Sequence, residues 1–517
     1  MGLPLSAFTF ALLLSFALAF FSWRRLSSRP FIDRLTVFLL FPMAVCLAAV
    51  FFLKIQDSLY SDYNWERLQN VFVIARGFPL YNGAANGPAL ITIYGPVSVF
   101  VYLPSALAAS PANAMRIAEV ILMGCFFLPP LWLHFGSRQN FLFRLLVLLI
   151  FCYFPLISKP LRDAAFNIHV DGPTLGLAAI ACGLLYFRAR KAGEAALFFS
   201  AVFAVLSVWS KQVAVPLLAA LPLYLFLAEG RKTALRYTGY LLVSGILISA
   251  LILFAFNPKD VIFNILVIPG RHSLRKGGLP GLIESAFVLL GEGAVIWILA
   301  AVSLVFLYLK IRPASFTDGV RAWPGSLFLI TGITMIPTSI LGNAKVGGST
   351  NTLCYTCYFF LLAAALGFLQ QASNRKVRFF LTGLSVLFLC IEIPWVYSHI
   401  LSLPRGPNPA ETAFVYIKKH PGEAYFPRLN MVHLMAENKV YHSSAALKDR
   451  EWADLPISPE HFHAYLPERM KFMAFQKDTA DDKAVLDRYL PEYGLKTEDP
   501  ELPGFVVFKK SAFRNNG

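Results

Sequence analysis

The sequence predicts an all-α polytopic membrane protein that ends in a small α/β domain outside the membrane. Hydrophobic residues make up 57% of the 517 residues and charged residues 15%, whereas soluble proteins average about 45–50% and about 25%. Apolar windows of about 17–25 residues recur up to position 400, and each can cross a hydrocarbon core about 30 Å thick. The remaining residues are polar and mixed in charge. We therefore expect a transmembrane bundle over 1–400, with an outer loop at 54–110, and a small α/β domain over 401–517.

About twelve apolar segments are expected to cross the membrane as helices. They cover residues 5–23, 35–53, 117–135, 141–158, 172–188, 194–209, 212–229, 237–256, 293–311, 326–342, 353–370 and 379–399. A further apolar segment, 91–109, carries Pro96 and Pro104, and prolines remove backbone donors and bend helices. We therefore expect this segment to form a re-entrant or interfacial hairpin instead of a span.

Basic loops predict the orientation, because Lys and Arg concentrate on the cytoplasmic side of membrane proteins. Four groups of loop residues are consistently basic: Arg24, Arg25, Arg29 and Arg34; Arg188, Arg190 and Lys191; Arg231, Lys232 and Arg236; and Arg375, Lys376 and Arg378. Alternation from these loops places 54–92, 159–171, 257–292, 343–352 and the C-terminal domain outside. We expect a multi-pass protein of the cell membrane with both termini outside the cytoplasm.

The formal charge of +16 does not indicate nucleic acid, because the basic residues are spread through short loops without a long basic run. All seven cysteines fall in apolar segments and none in the tail, which predicts no disulfide framework. Cys354 and Cys357 have the spacing of a metal or redox pair, but no second pair accompanies them. We interpret both as small apolar residues of a spanning helix.

Cations on the predicted outer side suggest an anionic ligand, because Lys and Arg are the usual phosphate-binding side chains. Loops of this length also tolerate some Lys and Arg, since the topological rule is statistical. Lys211 and Lys345, in short outer turns, are the first candidates for contacts with a donor phosphate. Arg271 and Arg275, in the loop 257–292, are the second.

Carboxylates accompany these cations on the same side. Asp62 lies in the first outer loop, and Asp171 begins a predicted span. A carboxylate can take the proton from a hydroxyl or amine that attacks the anomeric carbon of a sugar. Cations can hold the phosphate that departs, whose negative charge grows as the glycosidic bond breaks. The combination is typical of group transfer from a lipid-phosphate donor.

The first outer loop carries a resemblance to a known family. DYNWERLQNVFVIARGFPLY at 62–81, followed by IYGP at 93–96, resembles the first outer loop of GT-C fold membrane glycosyltransferases of the protein O-mannosyltransferase and aminoarabinose-transferase-like group. Further stretches resemble motifs of this family in the same order: HVDGPTLGLAAIACGLLYF, SVWSKQVAVPLLAALPLYLF, GNAKVGGSTNT, and in the tail AYFPRLNMVHLMAENKVYHSSAALKD and LPGFVVFKK.

The resemblance implies a GT-C helical bundle and two catalytic positions. Asp62 matches the first-loop aspartate, which acts as a base or orients the acceptor, and Asp171 matches the second acidic position. The family's aspartate is commonly followed by Glu, where this chain has Tyr63, and the Lys-Pro-Pro of some members is replaced here by Tyr94-Gly95-Pro96.

The expected function is transfer of a hexosyl or pentosyl group from a polyprenyl-phosphate sugar to an acceptor on the outer face of the membrane. The expected partners are that donor, a lipid, glycan or protein acceptor, and membrane lipids. The alternatives are a transporter or flippase of a lipid-linked saccharide, although no internal repeat is evident, and a scaffolding protein. We expect no cofactor or metal, because His169 with Asp171 is too small a ligand set; a divalent cation remains an alternative.

The first outer loop is expected to form a lid over an outer cavity, with Asp62 pointing inward. Apolar residues at helical spacing within 68–75 predict an amphipathic interfacial helix. Trp65, Phe72, Phe78 and Tyr81 are expected at the lipid headgroups, where aromatic rings prefer to lie.

The C-terminal domain should contain helices at 409–419, 429–437 and 480–490 and strands at 423–426 and 504–510. It shows no phosphate loop, nucleophile motif or metal motif, and His461 and His463 are expected at its surface. We expect it to recognise the acceptor or pack on the cavity.

Overall fold

Helices make up most of the first four hundred residues in the computed structural model, which describes residues 3–28, 30–137, 139–191, 193–404 and 406–511. The helices of this part are α1 Leu3–Arg25, α2 Phe31–Ser58, α3 Asp62–Ala75, α4 Val97–Val101, α5 Pro111–Phe135, α6 Phe141–Ile157, α7 Lys159–Phe166, α8 Asp171–Lys191, α9 Glu194–Ser210, α10 Leu217–Glu229, α11 Arg231–Ala255, α12 Pro258–Ile262, α13 Ile268–Arg271, α14 Leu279–Glu292, α15 Ala294–Ile311, α16 Phe316–Ala322, α17 Ser326–Ala344, α18 Cys354–Leu369 and α19 Arg375–Ser402. The protein is therefore a polytopic helical membrane protein, as predicted.

All twelve segments predicted to span the membrane are helical. Within the described residues, nine helical segments are long and apolar enough to cross a bilayer, or ten if α6 and α7, which meet at a bend of 100°, count as one span. Helices α8 and α9, with 21 and 17 residues, occupy the two remaining predicted spans.

Helix α18 lies at the centre of the bundle, since 94% of its apolar window is buried within the protein. Cys354 and Cys357 are fully buried in this helix as free thiols, which confirms their interpretation as apolar residues.

The proline-containing segment 91–109 does not cross the bundle. It holds only α4 and the 3₁₀-helix Leu103–Leu107, each five residues long. Five helical residues extend about 7–10 Å, far less than a bilayer. The expectation that this segment is not a span is confirmed.

The loops assigned to one side of the membrane meet at one end of the bundle. The amide of Ile168 donates to Asn64 Oδ1 at 2.9 Å, and Lys159 Nζ donates to Thr350 Oγ1 at 2.6 Å. Loops assigned to the other side meet through three ion pairs: Arg188 with Glu229, Arg236 with Glu194, and Arg378 with Asp33. The grouping of the loops is therefore confirmed, while the assignment of one end to the outside stays a prediction.

A small α/β unit follows α19. Its elements are α20 Pro409–Lys419, β1 Ala424–Tyr425, α21 Asn430–Glu437, α22 Ser444–Trp452, α23 Pro459–His463, β2 Phe472–Gln476, α24 Lys483–Asp487, β3 Leu495–Thr497 and β4 Phe505–Lys509. The four strands form one sheet in the order β1-β2-β4-β3, in which β1 is parallel to β2 and the other pairs are antiparallel.

The structure confirms the predicted helices at 409–419 and 429–437 and the terminal strand, whereas the helix predicted at 480–490 is α-helical only over α24. Strand β2 was not predicted. All five of its residues are buried, so its sequence lacks the alternation of apolar and polar residues by which half-buried strands are recognised. His461 is half-buried, and its Nε2 lies 2.6 Å from the carbonyl oxygen of Gly87 in the first loop.

Helix α3 joins the bundle to the C-terminal domain. The predicted helix is present, but its apolar face packs against α21 and not against lipid. Trp65 is 0% exposed, Phe72 1% and Tyr81 4%, and Phe78 is half-buried against the same core. The expectation that these rings lie at the headgroups is wrong. The core that Trp65, Phe72 and Phe78 join includes residues of the C-terminal domain, while Tyr81 packs against Val261 and Ile265.

Glu66 holds the two parts together. Its Oε1 accepts hydrogen bonds from Ser443 Oγ at 2.5 Å and from the amide of Ala445 at 2.9 Å, and Arg428 lies 3.5 Å from its Oε2. Burial raises the pKa of this carboxyl, while Arg428 and the two hydrogen bonds oppose the rise. The contact therefore buries a carboxyl group that has two hydrogen-bond donors and a nearby guanidinium as partners.

We expect Glu66→Ala to loosen the C-terminal domain. Each buried donor left without an acceptor costs about 1–3 kcal/mol, so the thermal unfolding midpoint in detergent should fall and protease should cleave faster between α19 and α20. Glu498→Ala is the control, since Glu498 is 80% exposed and pairs with Lys477 on the surface; it should change neither readout. Equal behaviour of the two variants would contradict the role of Glu66.

Candidate active site

A cavity of about 550 Å³ lies between this end of the bundle and the C-terminal domain. Its walls come from α3, the turn after α9, the segment from Ile265 to His272, the end of α17 with the loop that follows, and α22. Both the bundle and the C-terminal domain therefore contribute to the site.

Asp171 is the most constrained side chain beside the cavity. It is 0% exposed, and four side chains converge on its carboxylate. Oδ1 accepts from Lys211 Nζ at 2.6 Å and from the Tyr355 hydroxyl at 2.7 Å. Oδ2 accepts from Asn351 Nδ2 at 2.6 Å and from His169 Nδ1 at 2.5 Å. Because a carboxylate offers about four acceptor positions, these donors saturate Asp171.

The local sequence explains how the network assembles. Asp171 is the first residue of α8, where the helix dipole favours a negative charge, and Lys211 follows the last residue of the adjacent α9. Gly95 of the IYGP motif brings the first loop onto the end of α9, since a Cβ there would lie 1.7 Å from the carbonyl oxygen of Trp209. Tyr94 is thereby placed with its ring 5.2 Å from Lys211 Nζ.

His169 completes the network as a neutral ring. Burial lowers its pKa to about 4, although Asp171 opposes the shift. Because the carboxylate of Asp171 can only accept, Nδ1 carries the proton and donates it. The opposite nitrogen, Nε2, is buried and finds no partner among the described residues. His169 also lines the cavity.

Arg67 lines the cavity from α3 and was not among the predicted site residues. Its guanidinium packs against the rings of Tyr63 and Tyr94, with centroid distances of 5.0 and 5.7 Å. Its Nε and Nη1 are buried and have no hydrogen-bond acceptor among the described residues. The signal that could have revealed it is a cation within the motif that contains Asp62.

The C-terminal domain supplies further charged side chains to the cavity, and none of them was among the predicted site residues. Arg428 and Lys448 line the cavity, and both pair with Asp482. Asp449 of α22 lines the same cavity and is 8% exposed. Nothing in the local sequence shows that these residues face the bundle, because their position depends on how the domain docks.

The four predicted phosphate ligands have different positions. Lys211 and Lys345 line the cavity; Lys345 Nζ donates to the carbonyl oxygen of Pro269 at 2.7 Å, and burial lowers its pKa. Arg275 instead holds the loop after α17, since it donates to the carbonyl oxygens of Asn343, Lys345 and Gly348. Arg271 is exposed and is not part of the cavity lining.

Asp62 is the first residue of α3, but its side chain lies outside the described residues. The neighbouring Tyr63 lines the cavity, and its ring centroid lies 5.8 Å from that of His169. The start of α3 is therefore beside the Asp171 network. The catalytic roles assigned to Asp62 and Asp171 stay predictions.

Within the described part of the chain, no group of three or more His, Cys, Asp or Glu side chains is arranged to hold a metal ion. His169 and Asp171 are adjacent but are hydrogen-bonded to each other. That the protein needs no metal stays a prediction.

Comparison with solved structures identifies the architecture. The chain is similar to ArnT, an aminoarabinose transferase, from Cupriavidus metallidurans in two states. Bound to undecaprenyl phosphate, ArnT matches with a TM-score of 0.54 and 11% identity over 91% of this chain and 98% of ArnT. In the apo state it matches with a TM-score of 0.51 and 12% identity over the same shares. The chain has the GT-C fold.

A second GT-C fold protein, the archaeal oligosaccharyltransferase AglB from Archaeoglobus fulgidus in complex with an inhibitory peptide and a dolichol-phosphate, matches with a TM-score of 0.44 and 12% identity over 91% of this chain and 74% of AglB. No family model and no curated protein matches the sequence. The predicted GT-C bundle with a small C-terminal α/β domain is confirmed as a fold.

We expect the removal of Asp171 alone to destabilise this GT-C bundle more than the removal of Asp171 and Lys211 together. Asp171→Asn leaves the Lys211 cation buried without a countercharge, which costs about 3–5 kcal/mol. Adding Lys211→Met removes that cation, so the double variant should be more stable than Asp171→Asn alone. The measurement is thermal or denaturant unfolding in detergent.

Glu284→Gln is the matched control, because Glu284 and Lys276 form an exposed pair, 48% and 63% exposed, and such pairs contribute little. Its unfolding midpoint should not move. A double variant less stable than either single variant would contradict the pairing.

Proposed function

We propose that this protein is a GT-C type membrane glycosyltransferase that transfers a sugar from a polyprenyl-phosphate donor to an acceptor on the outer face of the cell membrane. The single observation that carries the proposal is a partly enclosed cavity in which the buried Nε and Nη1 of Arg67 have no acceptor among the described residues. Buried polar groups without partners are rare, and a guanidinium matches the geometry of a phosphate.

The charge of the cavity suits a phosphate that becomes more negative during transfer. Arg428 and Lys448 are balanced by Asp482, and Lys211 by Asp171. Arg67 and Lys345 have no carboxylate within ion-pair distance among the described residues. These two cations are therefore available to hold the leaving phosphate as the bond to the anomeric carbon breaks.

The proposed role of Asp171 is to position Lys211. A carboxylate that already accepts four hydrogen bonds has no free lone pair for a proton or a metal, so we assign it to fixing the ammonium of Lys211 at the cavity wall. Arg271 and Arg275, the second-rank candidates, lie outside the lining or support the loop of Lys345. We therefore place the phosphate at Arg67, Lys211 and Lys345.

An apolar groove supports a polyprenyl carrier. Its volume is about 500 Å³, and it lies among α9, α10 and α11, with Trp209 and Ile246 in its wall. Trp209 is two residues before Lys211, so one end of the groove is close to the cavity. ArnT, which shares the fold, has been solved with undecaprenyl phosphate. An isoprenoid tail in the groove and its phosphate in the cavity fit this arrangement.

A transporter of a lipid-linked saccharide is less well supported. Transporters usually bind substrate near the middle of the membrane, between repeats. The cavity here is instead at one end of the helices and is partly walled by the C-terminal domain. That position suits a reaction with an acceptor that arrives from the aqueous side.

We expect the purified protein in lipid nanodiscs to transfer label from radiolabelled polyprenyl-phosphate sugars to membrane acceptors. Arg67→Met should weaken the binding of undecaprenyl phosphate about 10- to 100-fold, because a charge-assisted hydrogen bond contributes about 1.5–3 kcal/mol. Asp62→Asn should lower the transfer rate while the protein stays folded.

Arg76→Met is the matched control, since Arg76 follows the same helix but is exposed and outside the cavity lining; its affinity should equal that of the wild type. Equal weakening in both variants would indicate a general effect of charge. Movement of labelled lipid across the bilayer without transfer would favour the flippase.

We expect an impermeant maleimide added to intact cells to label Lys276→Cys and Glu498→Cys, because both positions are exposed at the end predicted to lie outside. Arg321→Cys, exposed in α16 at the opposite end, should react only after permeabilisation. Each variant also carries Cys390→Ser, since Cys390 is exposed. The reverse pattern would place the cavity in the cytoplasm.

A further inference from the structure

Asp449, from α22 of the C-terminal domain, is a buried carboxylate in the wall of the cavity. It is 8% exposed, and its carboxylate accepts no hydrogen bond from the described residues. Buried polar groups normally have partners, so an unpaired carboxylate in a cavity wall indicates that a ligand supplies the partner.

The other described carboxylates around the cavity already have hydrogen-bond donors or ion-pair partners. Glu66 accepts hydrogen bonds from Ser443 and Ala445, and Asp171 accepts four. Asp482 pairs with Arg428 and Lys448. Among the described carboxylates at the cavity, Asp449 is therefore the one able to accept a proton from a bound molecule.

The backbone around Asp449 is well fixed. His272 Nε2 lies 2.9 Å from the carbonyl oxygen of Asp449. The next residue, Arg450, donates from Nη2 to the carbonyl oxygen of Ala84 at 2.9 Å and from Nε to that of Leu455 at 3.1 Å. The carboxylate thus projects from a helix that is tied to the bundle and to the first loop, which suits a group that must meet a reacting atom.

The surroundings of Asp449 set its proton affinity. Burial raises the pKa of the carboxyl to about 7, Arg67 opposes the rise, and Glu66 adds to it. Burial also lowers the pKa of His272, so that ring is neutral near pH 7. The described charged and titratable groups that share a cavity wall with Asp449 are Tyr63, Glu66, Arg67, Tyr94, His169, Lys211, His272, Lys345, Arg428, Lys448 and Arg450.

We propose that Asp449 is the general base of the transfer reaction, an inference that rests on the proposed function. The hydroxyl or amine of the acceptor attacks the anomeric carbon of the donor and forms the new glycosidic bond. The bond between that carbon and the phosphate oxygen breaks, and polyprenyl phosphate leaves with the electron pair beside Arg67. The proton of the acceptor passes to the carboxylate of Asp449. A base that must change protonation state works best with a pKa near the working pH.

The test is the pH dependence of kcat/KM for transfer. Asp449 must be deprotonated to act, so the wild-type rate should rise as the pH increases through about 7 and then level off. Asp449→Asn should lower kcat about 10²- to 10⁴-fold, the usual contribution of a general base, and should abolish that acidic limb. Asp449→Glu should restore part of the rate, and formate should rescue Asp449→Ala by acting as an external base.

Binding of undecaprenyl phosphate separates catalysis from structure. Asp449→Asn should bind it as tightly as the wild type or more tightly, because a negative charge near Arg67 is lost. Weaker binding together with a lower unfolding midpoint would overturn the proposal in favour of a structural role. Glu451→Gln, exposed on the same helix, is the control and should keep both the rate and the pH profile.

Two further outcomes are decisive. If Asp62→Asn loses the acidic limb while Asp449→Asn keeps it, Asp62 is the base and the proposal for Asp449 is overturned. Infrared titration of the intact protein does not depend on transfer activity. The difference between the spectra of the wild type and Asp449→Asn should contain a carboxyl band that titrates near pH 7. Absence of the band overturns the proposal, whereas absence of all transfer despite the band overturns the proposed function and the base role together.

Discussion

The buried carboxylate of Asp171 is the interaction on which the cavity depends. A charge removed from water is stable in a protein only when it is paired and hydrogen-bonded, and here four donors meet the requirement. They come from the segment before α8, the turn after α9, the 3₁₀-helix before α18 and the first turn of α18. Because these segments are distant in sequence, satisfying one carboxylate fixes the mutual positions of three core helices and places the ammonium of Lys211 at the cavity wall.

The C-terminal domain makes this end of the bundle into an enclosed site. Through Glu66 and the apolar face of α3, it covers the first loop and brings Arg428, Lys448 and Asp449 opposite Lys211 and Arg67. Partial exclusion of water strengthens electrostatic interactions, so the same cations act more strongly on an anion here than they would on an open surface. The domain is therefore a structural part of the site, beyond its expected role of packing or acceptor recognition.

The balance of charge within the cavity follows from pairing. Several cations there are neutralised by Asp171 or Asp482, while Arg67 and Lys345 interact with aromatic rings or backbone carbonyls. Because no described carboxylate pairs with Arg67 or Lys345, these two cations give the cavity a net positive potential. Among the described residues of the wall, Nε2 of the neutral His169 ring and the carboxylate of Asp449 have no hydrogen-bond partner.

The sequence by itself determined the membrane bundle, its twelve apolar helices, the grouping of the loops at two ends and the GT-C resemblance, because hydropathy, helix length and the placement of Lys and Arg act locally along the chain. It also placed Asp171, Lys211 and Lys345 at one site. Only the tertiary structure decided that Asp171 is saturated, that Trp65, Phe72 and Tyr81 are covered by protein, that Arg275 supports a loop, and that Arg67 and Asp449 face the cavity. Those properties depend on contacts between segments far apart in sequence, and local patterns of residues contain no information about which partners a side chain will meet.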